Sequence, residues 1–426
     1  MHVPSSSAMP RKSPDRRQQF AAVAMFVMPA MAMTTSFGMT MIQLLILFAA
    51  GWWARNGLAD WYRQHGSQFA WVSAAFGGYF LLSLLRALLS HKGMNAVDGP
   101  LRMLLALSCI GFVGWLRPQI HYFWLGLCIG TIGASLLALM QRLLLEMDRV
   151  EGYAHHPITF GNLALAMGVL SLCALPGWRK GGLVVLPFLS LSAGILASIL
   201  SGSRGGWVAL PLLAPLLWLA VGARRAGYAA VAALGLLALI YVLPESGVGP
   251  RVQGAVLAVS DYLTKQDAST TVGVRLELYK AAWIMFREHP WLGVGRDQFQ
   301  PELLQLAAQG QLQASPALQY SSAHNDALHF LATGGILDFS FLILLYGAPF
   351  AFFLRAWRSA DPVVRPPAMA GLIIVISFIA FGLTDVMFWL MMTKVFYVMM
   401  VCVFIGFCLQ TPHFLCVGSG GEKPSK

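Results

Sequence analysis

The sequence predicts an all-α fold: a polytopic integral membrane protein of about twelve transmembrane helices, with one large outer loop that contains short helices of its own. Three observations predict it. First, 57% of the 426 residues are hydrophobic and 11% are charged, with a mean hydropathy of +0.66; soluble domains run at about 45–50% apolar and about 25% charged. Second, apolar runs near the ~20 residues that span a bilayer recur along the chain. Third, basic residues gather at the chain ends and in every second short loop, the positive-inside pattern.

Residues 1–19 are polar and basic and read as a cytoplasmic tail. The run Phe20–Met33 is followed at once by a second apolar run and by no small-residue cleavage site, so it reads as a retained first span. Nine spans are expected in 20–243, at roughly 20–34, 38–54, 70–90, 101–116, 121–141, 158–176, 181–200, 206–222 and 226–243. Three more are expected in 326–410, at roughly 326–354, 367–384 and 387–410, and 411–426 is a second cytoplasmic tail. Twelve spans put both ends on one side, and the basic loops make that side cytoplasmic. The loop 244–325 then faces outward, into the periplasm of a bacterium, as do the turns at 91–100, 142–157, 201–205 and 385–386.

The net charge of +11 raises the question of a nucleic acid partner. The outer loop holds six basic residues against seven acidic ones, so the excess lies in the cytoplasmic loops and tails and needs no such partner. The six cysteines lie in apolar spans or the C-terminal tail, and none is in the loop, so no disulfide framework is implied. Within the loop, Thr271–His289 reads as a helix with Leu276, Ala281, Ala282, Ile284, Met285 and Phe286 on its apolar side. His289-Pro290 ends it, and Gly293 and Gly295 make the following turn. Pro301–Gln311 reads as a second short amphipathic helix. Both are expected to pack on the membrane core or lie along its surface.

Four outer-face features carry chemistry. Ser201-Gly202-Ser203-Arg204-Gly205-Gly206-Trp207 is a glycine-rich turn with one arginine. Its amides and guanidinium suit a phosphate or diphosphate, and the alternative is a helix–helix turn whose arginine snorkels to headgroups. Arg275 and Tyr279 share a helical face, where a lone arginine is otherwise solvated. His324-Asn325-Asp326 opens a span, where charge is costly. An imidazole, which titrates near about 6.5 in peptides, suits a general base there, and the alternative is a helix cap. Glu146, Asp148, Arg149, Glu151, His155 and His156 crowd the 142–157 turn, but without a recognised metal-ligand spacing. Asp338 in mid-span and Asp385 beside a turn need partners. No Walker, dinucleotide-binding or hydrolase motif occurs, so ATP, NAD and hydrolase chemistry find no support.

Taken in order, these motifs resemble a known family. Ser-Gly-Ser-Arg-Gly at 201–205, Arg275 heading a helix that ends in His289-Pro290-Trp291-Leu292-Gly293-Val294-Gly295, and Ala323-His324-Asn325 opening a span resemble the signatures of the O-antigen ligase and polymerase superfamily. The single large loop favours the lipopolysaccharide O-antigen ligase branch. A glutamate and a glycine that follow the family's H-N motif are replaced here by Thr333 and Asp338. The resemblance implies a metal-independent, cofactor-free membrane glycosyltransferase of the bacterial inner membrane with its site facing the periplasm. It would move a polysaccharide from undecaprenyl diphosphate to a sugar of lipid A-core, and its partners would be those two lipid-linked substrates and membrane lipids. Residue types fit these roles: Arg204 and Arg275 to hold the diphosphate, His324 as base, and Arg149, Tyr279, Asn325 and Asp385 as support. Direct attack with one base and no nucleophilic carboxylate implies inversion at the anomeric carbon. O-antigen polymerase and protein O-oligosaccharyltransferase are alternatives with the same residues. An anion or lipid transporter is a more distant one, disfavoured because charge gathers at one face rather than at the midplane.

Overall fold

The computed structural model describes residues 15–89, 95–178, 182–203, 205–221, 260, 262, 264, 268–313 and 315–411. These residues form helices and turns, with no strand among them. Eight helical segments among them are long and apolar enough to cross a membrane: Leu58–Leu89, Val97–Leu116, Ile120–Leu143, Pro157–Trp178, Gly182–Leu200, Asp326–Trp357, Arg365–Gly382 and Met391–Cys408. Each falls where the sequence places a span. Three apolar helices at the other expected positions are shorter: α1 (Arg16–Ala30), α2 (Gly38–Trp53) and α11 (Ala209–Val221). The expected span 226–243 lies outside the described residues, as do Arg204, residues 1–14 and 412–426. One boundary is corrected at the start, because helix begins at Arg16, inside the expected tail.

In chain order, α3 (Leu58–His65) is a short helix leading into α4 (Ala70–Leu89), and α5 (Asn95–Leu105) and α6 (Ser108–Leu116) together make one segment. Next come α7 (Ile120–Leu143), α8 (Pro157–Ser171), α9 (Leu175–Trp178) and α10 (Val185–Leu200). Beyond the loop lie α14 (Asp326–Trp357), α15 (Arg365–Gly382) and α16 (Met391–Cys408). Small residues decide which helices touch. Gly126 and Gly130 of α7 lie against the backbone carbonyls of Phe26 and Pro29 in α1, where any Cβ would collide. α8, α15 and α16 are buried on nearly every face and form the centre, filled by Phe378, Phe396, Tyr397 and Phe404.

The loop helices are α12 (Thr271–Glu288) and α13 (Phe299–Ala308). Thr270 caps α12 by accepting from the Gly273 amide at 3.0 Å. Their apolar faces build a small core of their own, in which Val274, Leu278, Ala281, Ala282 and Met285 meet Phe299, Leu303 and Leu306, and Ala332 of α14 closes one side. The buried stripe of α12 therefore runs through 274, 278, 281, 282 and 285, and the expected Leu276 and Phe286 sit only partly covered beside it. Glu277 is fully buried on this helix. It accepts from the Tyr262 hydroxyl at 2.6 Å and the Gln313 amide at 2.7 Å, tying distant parts of the loop together.

The expected span at 326–354 is present as Asp326–Trp357, with a break that its sequence does not announce. α14 is interrupted at Gly335, with φ 65° and ψ −165°. The segment after α12 exploits the break: the Val294 amide donates to Ala332 O at 2.9 Å, Gly295 to Thr333 O at 3.0 Å, and the Ile336 amide to Pro290 O at 2.8 Å. Polar backbone groups freed by the interruption are thus satisfied by protein. Gly293, at φ 65°, lies against the Gly334 backbone and admits no side chain. Asp338 consequently stands near the start of the long leg, rather than in mid-span. It is paired with Arg296 Nε at 3.0 Å and Arg86 Nη2 at 3.3 Å.

Candidate active site

Three of the turns expected on the outer face, at 142–157, 201–205 and 385–386, meet at one end of the bundle, whereas residues 95–100 of the turn expected at 91–100 are the start of α5. The Val150 amide donates to Leu200 O at 3.3 Å, and Arg149 Nε donates to Ser201 O at 3.2 Å, joining the 142–157 turn to the 201–203 turn. Gly205 packs on the Thr384 hydroxyl, and Gly206 on the Asn162 side chain of α8. Gly99 faces Lys394 at the head of α16. Ser201 Oγ accepts from the Ser203 amide at 3.1 Å, which folds the Ser-Gly-Ser corner on itself. Arg204 lies outside the described residues; the positions on either side of it are described.

The segment 383–387 is where the motifs meet, and His324, Asn325 and Asp326 each hold it. Asn325 is the N-cap of α14, accepting from the Leu328 amide at 3.0 Å while its Nδ2 donates to Leu383 O at 3.3 Å. Asp326, 3% exposed, accepts from the Met387 amide at 2.9 Å and the Tyr346 hydroxyl at 2.7 Å. His324 Nδ1 stands 3.2 Å from Asp385 Oδ1. The residue is left-handed, with φ 49°, a conformation that costs a non-glycine residue on the order of 1 kcal/mol and persists only when its surroundings impose it. Here they do, because the next two residues are locked to the facing turn. Tyr320 meets the imidazole edge-on at 5.0 Å between ring centres.

Asp385 is 6% exposed. Burial alone would push its carboxyl up. The hydrogen bond with His324 and the facing His156 outweigh that, so it is held below the usual carboxylate range. An ionised Asp385 can only accept, so His324 Nδ1 is the donor in this bond, and in the neutral imidazole of that tautomer Nε2 carries the lone pair. The Val386 amide donates to Asp385 Oδ1 at 2.9 Å, and His156 Nδ1 faces Oδ2 at 3.8 Å. His156 also caps α8, its Nδ1 accepting from the Thr159 amide at 3.3 Å. The sequence offers His156 only as part of a metal cluster. Among the described residues no group of three or more His, Cys, Asp or Glu side chains gathers to hold a metal. His155 turns to Glu151 at 3.9 Å, and Asp148 to Arg142 at 3.2 Å.

α12 docks on the same segment. The Tyr279 hydroxyl lies 3.5 Å from Leu383 O, the carbonyl that Asn325 also uses. Burial raises the phenol's pKa against the pull of Arg275 and Asn325, so it stays a donor. Arg275, one turn earlier and half-buried, makes no ion pair or hydrogen bond with a described residue. Of the expected site residues, His324, Asn325, Tyr279 and Asp385 come together directly, and Arg275 is brought in by its helix. Arg149 is exposed and supports the 201–203 turn. Asp326 is a buried strut that sequence reasoning passed over; an acid following His-Asn at the start of a span was its signal.

The family described as "O-Antigen ligase" matches residues 188–343. An uncharacterized protein of Haemophilus influenzae is 24% identical over 309 residues, 71% of this chain and 77% of that protein. An O-antigen ligase of Pseudomonas aeruginosa is 24% identical over 324 residues, 75% of this chain and 72% of that protein. The residues similar to the O-antigen ligase family, 188–343, contain Arg204, Arg275 and His324.

Proposed function

We propose that this chain is an O-antigen ligase of the bacterial inner membrane, working on the periplasmic side. It transfers a polysaccharide from undecaprenyl diphosphate to a sugar hydroxyl of lipid A-core. The observation that carries this reading is the His324–Asp385 pair, joined through Nδ1, on a segment that also receives the Arg275 helix and the turn around position 204.

The step balances as a single displacement. His324 Nε2 takes the proton of the acceptor hydroxyl as that oxygen bonds the anomeric carbon. The carbon–oxygen bond to the diphosphate breaks on the opposite face, and the diphosphate leaves with the electron pair. Attack from the face opposite the leaving group inverts the anomeric centre. Diphosphate is already a good leaving group, so the barrier is lowered by cations that meet its growing charge. Arg275 fits because its guanidinium is not engaged by a described residue, and Arg204 fits by its place in the Ser-Gly-Ser-Arg-Gly turn. Asp385 holds the imidazole tautomer and stabilises the imidazolium that forms. With guanidinium groups as the counter-charge, the step calls for no metal.

The test is reconstitution of the full chain with lipid-linked O-antigen and lipid A-core in the presence of chelator. Ladder-pattern lipopolysaccharide that vanishes in His324→Ala supports the reading. Growth of undecaprenyl-linked chains instead means polymerase, transfer to protein serine means oligosaccharyltransferase, and anion flux without sugar transfer means transporter.

A further inference from the structure

A cavity of about 670 Å³ lies beside the His324–Asp385 contact, walled by α4, residues 292–298, the short leg of α14 and the head of α16. It is within the ~300–1,000 Å³ range of small-molecule sites. Val386, whose amide binds Asp385, lines it, and so does His329, one turn beyond the α14 cap. Arg275 does not line it, so it is distinct from the side assigned to the diphosphate.

Its polar wall is basic. Arg86, Arg296 and Lys394 face Asp338 and Asp297. Arg296 is built in: Nε binds Asp338 at 3.0 Å, Nη1 donates to Ser83 Oγ at 2.8 Å, and the guanidinium lies 4.9 Å from the Tyr79 ring centre. Its Nη2 is buried and meets no acceptor among the described residues. The same is true of His329 Nδ1, on a side chain 4% exposed between Phe299 and Trp389. Lys394 makes no ion pair or hydrogen bond with a described residue. Buried polar atoms without a partner are costly, and these two belong to residues that line the cavity. The rest of the wall is aromatic, with Phe330, Phe388 and Trp389 offering flat apolar faces of the kind that stack on sugar rings.

We propose that this cavity seats the head of the acceptor, and that this head is a phosphorylated saccharide whose anionic groups are received by Arg296 and Lys394. The assignment rests on the ligase reading for the word acceptor; the ligand chemistry follows from the wall itself. Planar guanidinium and ammonium donors suit phosphate, and the aromatic faces suit the sugar that carries it. The cavity reaches Val386, the residue after Asp385, so a saccharide seated there extends toward His324 while the diphosphate sits by Arg275.

The test uses the full chain in phosphatidylcholine nanodiscs. The probe is core lipopolysaccharide without O-antigen, either native or stripped of phosphate with hydrofluoric acid. Binding of each is measured without donor. A charge-assisted hydrogen bond is worth about 1.5–3 kcal/mol, so the native probe should bind about tenfold more tightly or better than the stripped one. Lys394→Gln should abolish that preference without weakening the stripped probe, Lys394→Arg should restore it, and Trp389→Ala should weaken both probes. Equal affinity for the two probes, an equal effect of Lys394→Gln on both, or full displacement by phosphatidylglycerol at matched phosphate would overturn the proposal. A chain that shows the preference but transfers no sugar removes the ligase reading and leaves the site. Normal transfer with no preference for phosphate does the reverse.

Discussion

Asp385→Asn is the most informative single change. The carboxylate takes the Nδ1 proton of His324 at 3.2 Å and the Val386 amide at 2.9 Å on one oxygen, while His156 faces the other at 3.8 Å. An asparagine that keeps its oxygen toward Val386 also keeps it toward His324, so the fold should hold, but the charge that steadies the imidazolium is gone. Turned the other way, its amide nitrogen donates to the imidazole, Nδ1 must accept, and the proton moves to Nε2, where the base is needed. A positioned general base contributes about 10²–10⁴ in rate, which is about 2.7–5.5 kcal/mol of barrier. Turnover should therefore fall by about 10²–10⁴-fold, with the donor KM nearly unchanged because neither residue is assigned to the diphosphate. His324→Ala should lose a similar amount, and the double variant little more, since the two act as one unit. The assay is initial-rate transfer from lipid-linked polysaccharide to lipid A-core in proteoliposomes. Turnover within a few-fold of wild type for Asp385→Asn, or fully additive losses in the double variant, would refute the coupling.

Other outcomes follow from the same geometry. Arg275→Ala and Arg204→Ala should each cost about 10²–10³ in turnover while inserting and purifying normally, and Arg275→Lys should recover only part of it, because a point charge does not replace a planar fork; wild-type rates in both alanine variants would remove the clamp. Gly293→Ala should destabilise by more than about 1 kcal/mol, since φ is 65° and the added carbon meets the α14 backbone at Gly334; an unchanged thermal midpoint in detergent would contradict the docking. For pH, the Asp385 carboxyl lies lower in the folded chain than in the unfolded one. Its contribution is complete above the unfolded value of about 3.9 and is lost as pH falls through the folded value. Thermal midpoints measured downward from about pH 5 should fall more steeply for wild type than for Asp385→Asn, and parallel curves would remove that linkage.

Much of this site was legible in the sequence because the signals are local. His289-Pro290 as a stop fixes the end of α12 within a residue, and His-Asn-Asp at the head of a span flagged a polar cluster that needed partners. Charge alternation assigned four turns to one face, and contacts bring three of them, 142–157, 201–205 and 385–386, to one end. What stayed hidden depends on partners far apart in the chain. Arg296 and Asp338 are 42 residues apart, and Arg86 and Asp338 are 252 apart, so neither pair has a periodic signature. Arg86 and Lys394 are cations inside apolar runs, yet nothing local says they share a cavity. The break in α14 is similarly silent. Gly334-Gly335 in an apolar run does not announce that residues 290–295 will occupy the freed carbonyls. The buried stripe of α12 was misjudged by a small rotation, because the helix carries apolar residues on more than one face and its core is the loop itself rather than the membrane bundle.

The most direct measurement is a structure of the full chain with undecaprenyl diphosphate bound. The diphosphate should lie at the end of the bundle where 383–387 meets α12, with Arg204 and Arg275 at about 2.7–2.9 Å from its oxygens and His324 Nε2 facing the sugar-bearing side. A diphosphate seated instead in the Arg296–Lys394 cavity, or at the other end of the bundle, would contradict the division of the site into a leaving-group clamp and a base.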